Sequence, residues 1–191
     1  MKKTVRTFVA VEIDERTRRA ATKLIEKLSV VPVDVKWVAP HNLHITLKFL
    51  GDVSLQETAR ICQAVQKAAV EVEPFELSIE GAGAFPTTKR PRTVWIGSRV
   101  GEDQMSALHK QLERRLAKLG FRKDSRRFQA HLTIGRVKRG GPGLSELASL
   151  IEENAQCEIG KTTISEAVVF SSELGPEGPT YHPLGRAKLG G

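Results

Sequence analysis

Two tetrapeptides constrain this chain more than anything else in it: His44-Ile45-Thr46-Leu47 and His131-Leu132-Thr133-Ile134. Both read His-x-Thr with aliphatic residues between and after. In an extended strand alternate side chains share a face, so each copy presents an imidazole and a hydroxyl on one side and anchors itself by the other. One copy would mean little, since composition alone predicts about a third of one in a chain with five histidines. The weight lies in where the copies sit. Arg6 to Val11 aligns with Arg92 to Gly97, an amphipathic stretch follows each, and then comes a motif strand. A second helical stretch follows near 55–71 and 144–155, and Ser78 to Phe85 echoes Thr163 to Phe170. The order strand, helix, motif strand, helix, strand thus occurs twice, with a period too long for a solenoid.

The expected fold is α+β: a duplicated, bilobal chain with two mainly antiparallel sheets, outer helices and a central cleft. Several strands are joined by links too short for parallel crossovers. Residues 1–191 are expected to form a single bilobal domain, with repeats over approximately 5–86 and 91–171 and a C-terminal strand over 180–189. Asp14 is placed to cap a helix over about 15–29, and Ser54-Leu55-Gln56-Glu57 is a capping-box pattern. Leu55, Thr58, Cys62, Val65 and Ala69 form the apolar stripe expected of the second helix. Met105, Leu108, Leu112, Leu116 and Leu119 form that of the third, ended by Gly120. The motif strands are expected over 43–50 and 128–137.

No apolar run approaches the length of a membrane helix, and Arg6 and Glu12 interrupt any signal-type segment, so a cytoplasmic location is expected. Cys62 and Cys157 offer neither a disulfide framework nor zinc spacing and read as buried free thiols. The net charge of +8 is concentrated. Between Phe121 and Gly140, Arg122, Lys123, Arg126, Arg127, Arg136, Lys138 and Arg139 face one acid, Asp124. Charge flanking a motif strand favours a polyanion there.

Two imidazoles facing one phosphodiester can serve as base to the attacking oxygen and acid to the departing one. The threonine hydroxyls can hold the non-bridging oxygens. No metal and no cofactor is expected; there is no His-Glu-x-x-His and no Cys/His tandem. Simple alternation would bury Arg136 beside Leu132 and Ile134, at a high cost in free energy for an unpaired guanidinium. Gly135 directly before it signals a bulge that swings Arg136 into the cleft. Its counterpart, Phe49, either packs in the core or faces Arg136 across a nucleobase. Lys48 is read as either a phosphate contact or a solvated lysine. His41 lacks a threonine partner, His109 is expected to be exposed on its helix, and His182 reads as structural.

These residues resemble the 2H phosphoesterase superfamily. The contexts His44-Ile45-Thr46-Leu47-Lys48-Phe49-Leu50-Gly51 and Phe128-Gln129-Ala130-His131-Leu132-Thr133-Ile134-Gly135-Arg136-Val137 are similar to its RNA 2′,3′-cyclic phosphodiesterase branch, also called 2′-5′ RNA ligase. Ala130 departs from the proline that branch often carries before the second histidine. The resemblance implies metal-independent hydrolysis of RNA 2′,3′-cyclic phosphate ends to 2′-phosphates, with reversible 2′-5′ joining as the same chemistry. It implies His44 as general acid and His131 as general base, with Thr46, Thr133 and Arg136 holding the phosphate. The implied partner is RNA with a cyclic phosphate terminus, tRNA halves being one candidate; a monomer is expected. The alternatives are a non-catalytic RNA- or nucleotide-binding module and a phosphodiesterase for a small cyclic nucleotide-derived phosphate.

Overall fold

The computed structural model describes residues 4–176 and 178–190. In chain order the elements are β1 (Thr4–Glu12), α1 (Glu15–Leu28), β2 (Asp34–Trp37), β3 (His44–Ser54), α2 (Leu55–Ala69), β4 (Phe75–Phe85) and β5 (Thr93–Gly97). There follow α3 (Glu102–Ala117), β6 (Leu132–Arg139), α4 (Leu144–Glu153), β7 (Glu158–Ile164), β8 (Glu166–Gly175) and β9 (Gly178–Lys188). All recorded strand pairs are antiparallel. The strands run in the order β7-β4-β5-β6-β3-β1-β8-β9, with β2 also on β6.

The two halves of this order meet at a single residue pair, Ile45 with Leu132. The reason lies on the edge of β6. Only Leu132 of that edge is bridged to β3, while Gly135 to Arg139 are paired with β2. With β2 occupying the rest of the edge, the ladder cannot continue and the halves splay into two lobes around a cleft. The expected bilobal α+β fold is present, but in place of two separate sheets its strands form one nine-stranded antiparallel sheet whose halves join at this bridge. Its connectivity is an exchange that periodicity does not reveal. β4, which follows the first motif strand, pairs with β5, and β8, which follows the second, pairs back onto β1. α1 and α4 cover the β4–β7 lobe, and α2 and α3 cover the other.

Strand β1 shows how the cleft gains an apolar floor. Phe8 to Val11 are all buried, which a half-exposed strand would not allow. Val9 and Val11 enter the main core beneath the helices. Phe8 and Ala10 point the other way and join Val168, Phe170 and Tyr181 in a second cluster. Helices α1 and α2 start as their caps dictate. Asp14 Oδ1 accepts from Thr17 N at 2.7 Å, and the Glu57 carboxylate accepts from Ser54 N at 3.2 Å.

Several expectations are corrected. On α2 the buried face is Ile61, Val65, Ala68 and Ala69; Leu55, the first residue of the helix, is exposed. His109 is buried in the apolar face of α3 beside Leu108 and Leu112. The first motif strand runs on through Gly51, whose φ of 75° accommodates a bend within β3. The second starts only at Leu132, so His131 lies just outside the ladder. Helix α3 ends at Ala117 and its chain turns out at Gly120, whose φ of 93° is open chiefly to glycine. Both cysteines are free but half-buried. Among the described residues, no helix is long and apolar enough to cross a membrane.

Candidate active site

The Ile45–Leu132 bridge sets the site. In an antiparallel register it puts His44 across from Thr133 and Thr46 across from His131, all four on the face opposite the core-facing aliphatics. Ile45, Leu47, Leu132 and Ile134 are buried as anchors. Each imidazole is held in the same way. His44 Nδ1 bonds to the carbonyl of Asn42 at 2.7 Å, and His131 Nδ1 to that of Gln129 at 2.8 Å. A carbonyl only accepts, so in both rings Nδ1 carries the proton and Nε2 is the atom that gives or takes one. Nε2 of His44 lies 3.1 Å from Thr46 Oγ1.

Aromatic walls surround both rings. Phe8 is 5.0 Å from His44 between centroids, and Tyr181 meets it edge-on at 5.2 Å. Phe85 meets His131 edge-on at 5.2 Å, with Trp95 behind at 6.4 Å. Sequence reasoning does not single out these walls as site residues. The signal available is the alignment of Phe85 with Phe170 in the repeat. Burial pushes both histidines below their ordinary pKa. The carbonyl bonds pull them back up, and the Arg136 guanidinium presses both down again. His44 alone feels an additional upward pull from Glu12, which sits opposite it in the β1–β3 register. An open pocket of about 280 Å³ lies against His44, between the 41–44 segment and β9, with His41 on its rim.

Both motif strands break phase at the same place. Opposite β1, Thr46 pairs with Ala10 and Lys48 with Val9, so Leu47 is extra. Opposite β5, Thr133 pairs with Trp95 and Gly135 with Val94, so Ile134 is extra. A bulge at the third residue after each histidine brings the fifth back to the cleft side. Arg136 is accordingly exposed, and its charge reaches His44, His131 and Tyr181. Phe49 is 63 % exposed, its ring 6.1 Å from Phe8. Of the two alternatives for Phe49, core packing is therefore excluded.

Lys48 corrects both alternatives offered for it, phosphate contact and solvated lysine. The bulge turns it to the interior, where it is 3 % exposed. Its ammonium donates to the Arg122 carbonyl at 3.0 Å and to Asp124 Oδ1 at 3.1 Å, and pairs with Glu113. Glu113, Asp124 and His109 form the one group among the described residues whose donor atoms could surround a metal ion. The Lys48 ammonium already lies against both carboxylates of that group.

Comparison with known proteins agrees with this geometry. The profile described as LigT like Phosphoesterase matches residues 11–95 and again 96–181. An RNA 2′,3′-cyclic phosphodiesterase of Methanothermobacter thermautotrophicus is 42% identical over 177 residues, covering 93% of this chain and 95% of the relative. One from Archaeoglobus fulgidus is 41% identical over 180 residues, covering 94% and 98%. Among solved structures, TT0787 of Thermus thermophilus superposes with a TM-score of 0.82 at 25% identity, covering 97% of this chain and 98% of that one. Escherichia coli LigT in apo form shares the fold, with a TM-score of 0.77 at 24% identity and 98% of each chain covered. With two profile matches spanning most of its length, and relatives above 40% identity along nearly all of it, this chain belongs to the LigT-like phosphoesterase family.

Proposed function

We propose that the protein hydrolyses 2′,3′-cyclic phosphate ends of RNA to 2′-phosphomonoesters, by acid–base catalysis between His44 and His131. One observation carries this reading: two imidazoles, each with Nδ1 on the carbonyl two residues upstream, flank the single bridge joining the lobes. The names of the relatives supply the substrate class.

In the forward step, water attacks phosphorus and the His131 Nε2 takes its proton. The bond from phosphorus to the 3′-oxygen breaks, and the His44 Nε2–H delivers a proton to that oxygen. The 2′-phosphate remains. The Glu12 carboxylate, opposite His44 in the β1–β3 register, pulls that imidazole towards its protonated form against the larger effect of burial. Thr46 and Thr133 donate to the non-bridging oxygens, and Arg136 balances their charge. Every proton moved has a named carrier, so the scheme requires neither a metal nor a cofactor. The same step with a ribose 5′-hydroxyl in place of water forms a 2′-5′ bond, and its reversal cleaves that bond. The reading includes a monomer acting in the cytoplasm on RNA ends, tRNA halves among them, with the described lobes as one catalytic unit.

The test is incubation with EDTA and an oligonucleotide ending in a 2′,3′-cyclic phosphate. A 2′-phosphate end is expected. A 3′-phosphate end, turnover restored only by a divalent cation, or binding without turnover would contradict the proposal.

A further inference from the structure

We infer that the exposed segment 122–127 seats the RNA strand upstream of the reacting end, and that Lys48 is the positioning residue that fixes this seat against the catalytic strand. The inference rests on the RNA-end reading above and adds a substrate-length preference to it.

After the motif, β3 runs towards this segment. Phe49 and Leu50 form one side of an open hollow of about 450 Å³, and residues 121–125 form the other. The cations Arg122, Lys123, Arg126 and Arg127 are all exposed, and among the described residues none has a carboxylate within 4.0 Å. The acid placed among them, Asp124, is drawn to the Lys48 ammonium at 3.1 Å instead of neutralising its neighbours.

The segment is tied at both ends. Lys48 holds the Arg122 carbonyl at 3.0 Å, and at the far end Phe128 stacks on His109 at 4.3 Å. His109 Nε2 in turn lies 3.8 Å from both Glu113 and Asp124. Four uncompensated cations on a braced loop, beside an exposed aromatic ring, are the elements that bind single-stranded nucleic acid: phosphates on the cations, a base on the ring. The cyclic end would occupy the imidazoles, the neighbouring base Phe49, and the preceding phosphates the 122–127 segment. A polyanion bound here needs length, which a mononucleotide lacks.

The experiment compares kcat/KM for a 2′,3′-cyclic mononucleotide and for a short RNA with a cyclic end, over a series of salt concentrations. Wild type should prefer the RNA by about tenfold or more at low salt, an advantage carried by KM. The combined variant Arg122→Ala/Lys123→Ala/Arg126→Ala/Arg127→Ala should lose about tenfold of that ratio. Its log KM against log salt should flatten by roughly 2 to 3, at about 0.7 per phosphate no longer neutralised. Lys48→Met should raise the KM for RNA with all four cations still present. Lys48→Arg, the second variant if methionine prevents folding, should shift it less in the same direction. A wild type indifferent to length, or a loop variant that keeps both ratio and slope, overturns the seat. Lys48 variants with an unchanged ratio overturn the positioning role. If wild type hydrolyses neither substrate, the RNA-end reading itself fails, and this inference with it.

Discussion

The two motif strands are alike on the cleft face and part company one residue behind it. His44 and His131, Thr46 and Thr133 occupy matching places, and a bulge follows at Leu47 and at Ile134. The next residue is Lys48 in one strand and Gly135 in the other. Lys48 reaches into a buried polar cluster and braces the basic segment. At Gly135 the space is filled by Trp37 of β2; a Cβ there would stand 2.7 Å from the indole. Duplication preserved the face on which the proposed reaction sets two imidazoles around one phosphorus. It left the reverse side free to serve different ends: one strand braces a loop, the other takes on an extra strand and thereby opens the cleft.

That comparison breaks most visibly at the histidines. If the strands act as one site, His44→Ala and His131→Ala should each lower kcat by about 10²–10⁴-fold, the range for a positioned acid or base. The double variant should fall little further than either alone, because the two act as a unit. Multiplicative losses in the double variant would mean that they work independently.

Behind the face, the strands should fail differently. Lys48→Met leaves the Glu113 carboxylate without its ammonium partner in a buried setting, and unfolding free energy should drop by about 3–5 kcal/mol in denaturant titration. Gly135→Ala crowds Trp37 and should cost about 1–3 kcal/mol. Equal and negligible costs would remove the distinction.

The smallest effect concerns Arg136. Burial, and after it the Arg136 guanidinium, depresses both imidazoles, so both limbs of the kcat/KM profile against pH should lie on the acid side of the free-histidine value of about 6.5. Arg136→Gln removes a positive charge that disfavours protonation, so both limbs should move to higher pH. They belong to the pair, not to single residues. A stationary profile would place Arg136 away from one or both rings.

How much of this is readable in the chain follows from which forces are local. The motif pair, its two faces and the helix caps are legible because alternation and capping act within a few residues. The bulge before Arg136 is legible because Gly135 marks it. The matching bulge at Leu47 carries no glycine at the same place, so the sequence leaves Phe49 open between two readings and hides the burial of Lys48. His109 is misplaced by its sequence context because its burial depends on Phe128 and on carboxylates brought together only by folding. The exchange of β4 and β8 between lobes, and the docking of β2 on β6, depend on long-range pairing that periodicity does not encode. The aromatic wall of Phe8, Phe170 and Tyr181 comes from strands brought side by side by that same pairing.

The most direct measurement uses a cyclic phosphate whose bridging 3′-oxygen is replaced by sulfur, a leaving group that departs without needing a proton. On this substrate His44→Ala should recover most of the rate it loses on the oxygen parent, while His131→Ala should remain slow, since attacking water still requires a base. Recovery of both variants, of neither, or of His131→Ala alone would contradict the assignment of one imidazole to each side of the phosphorus.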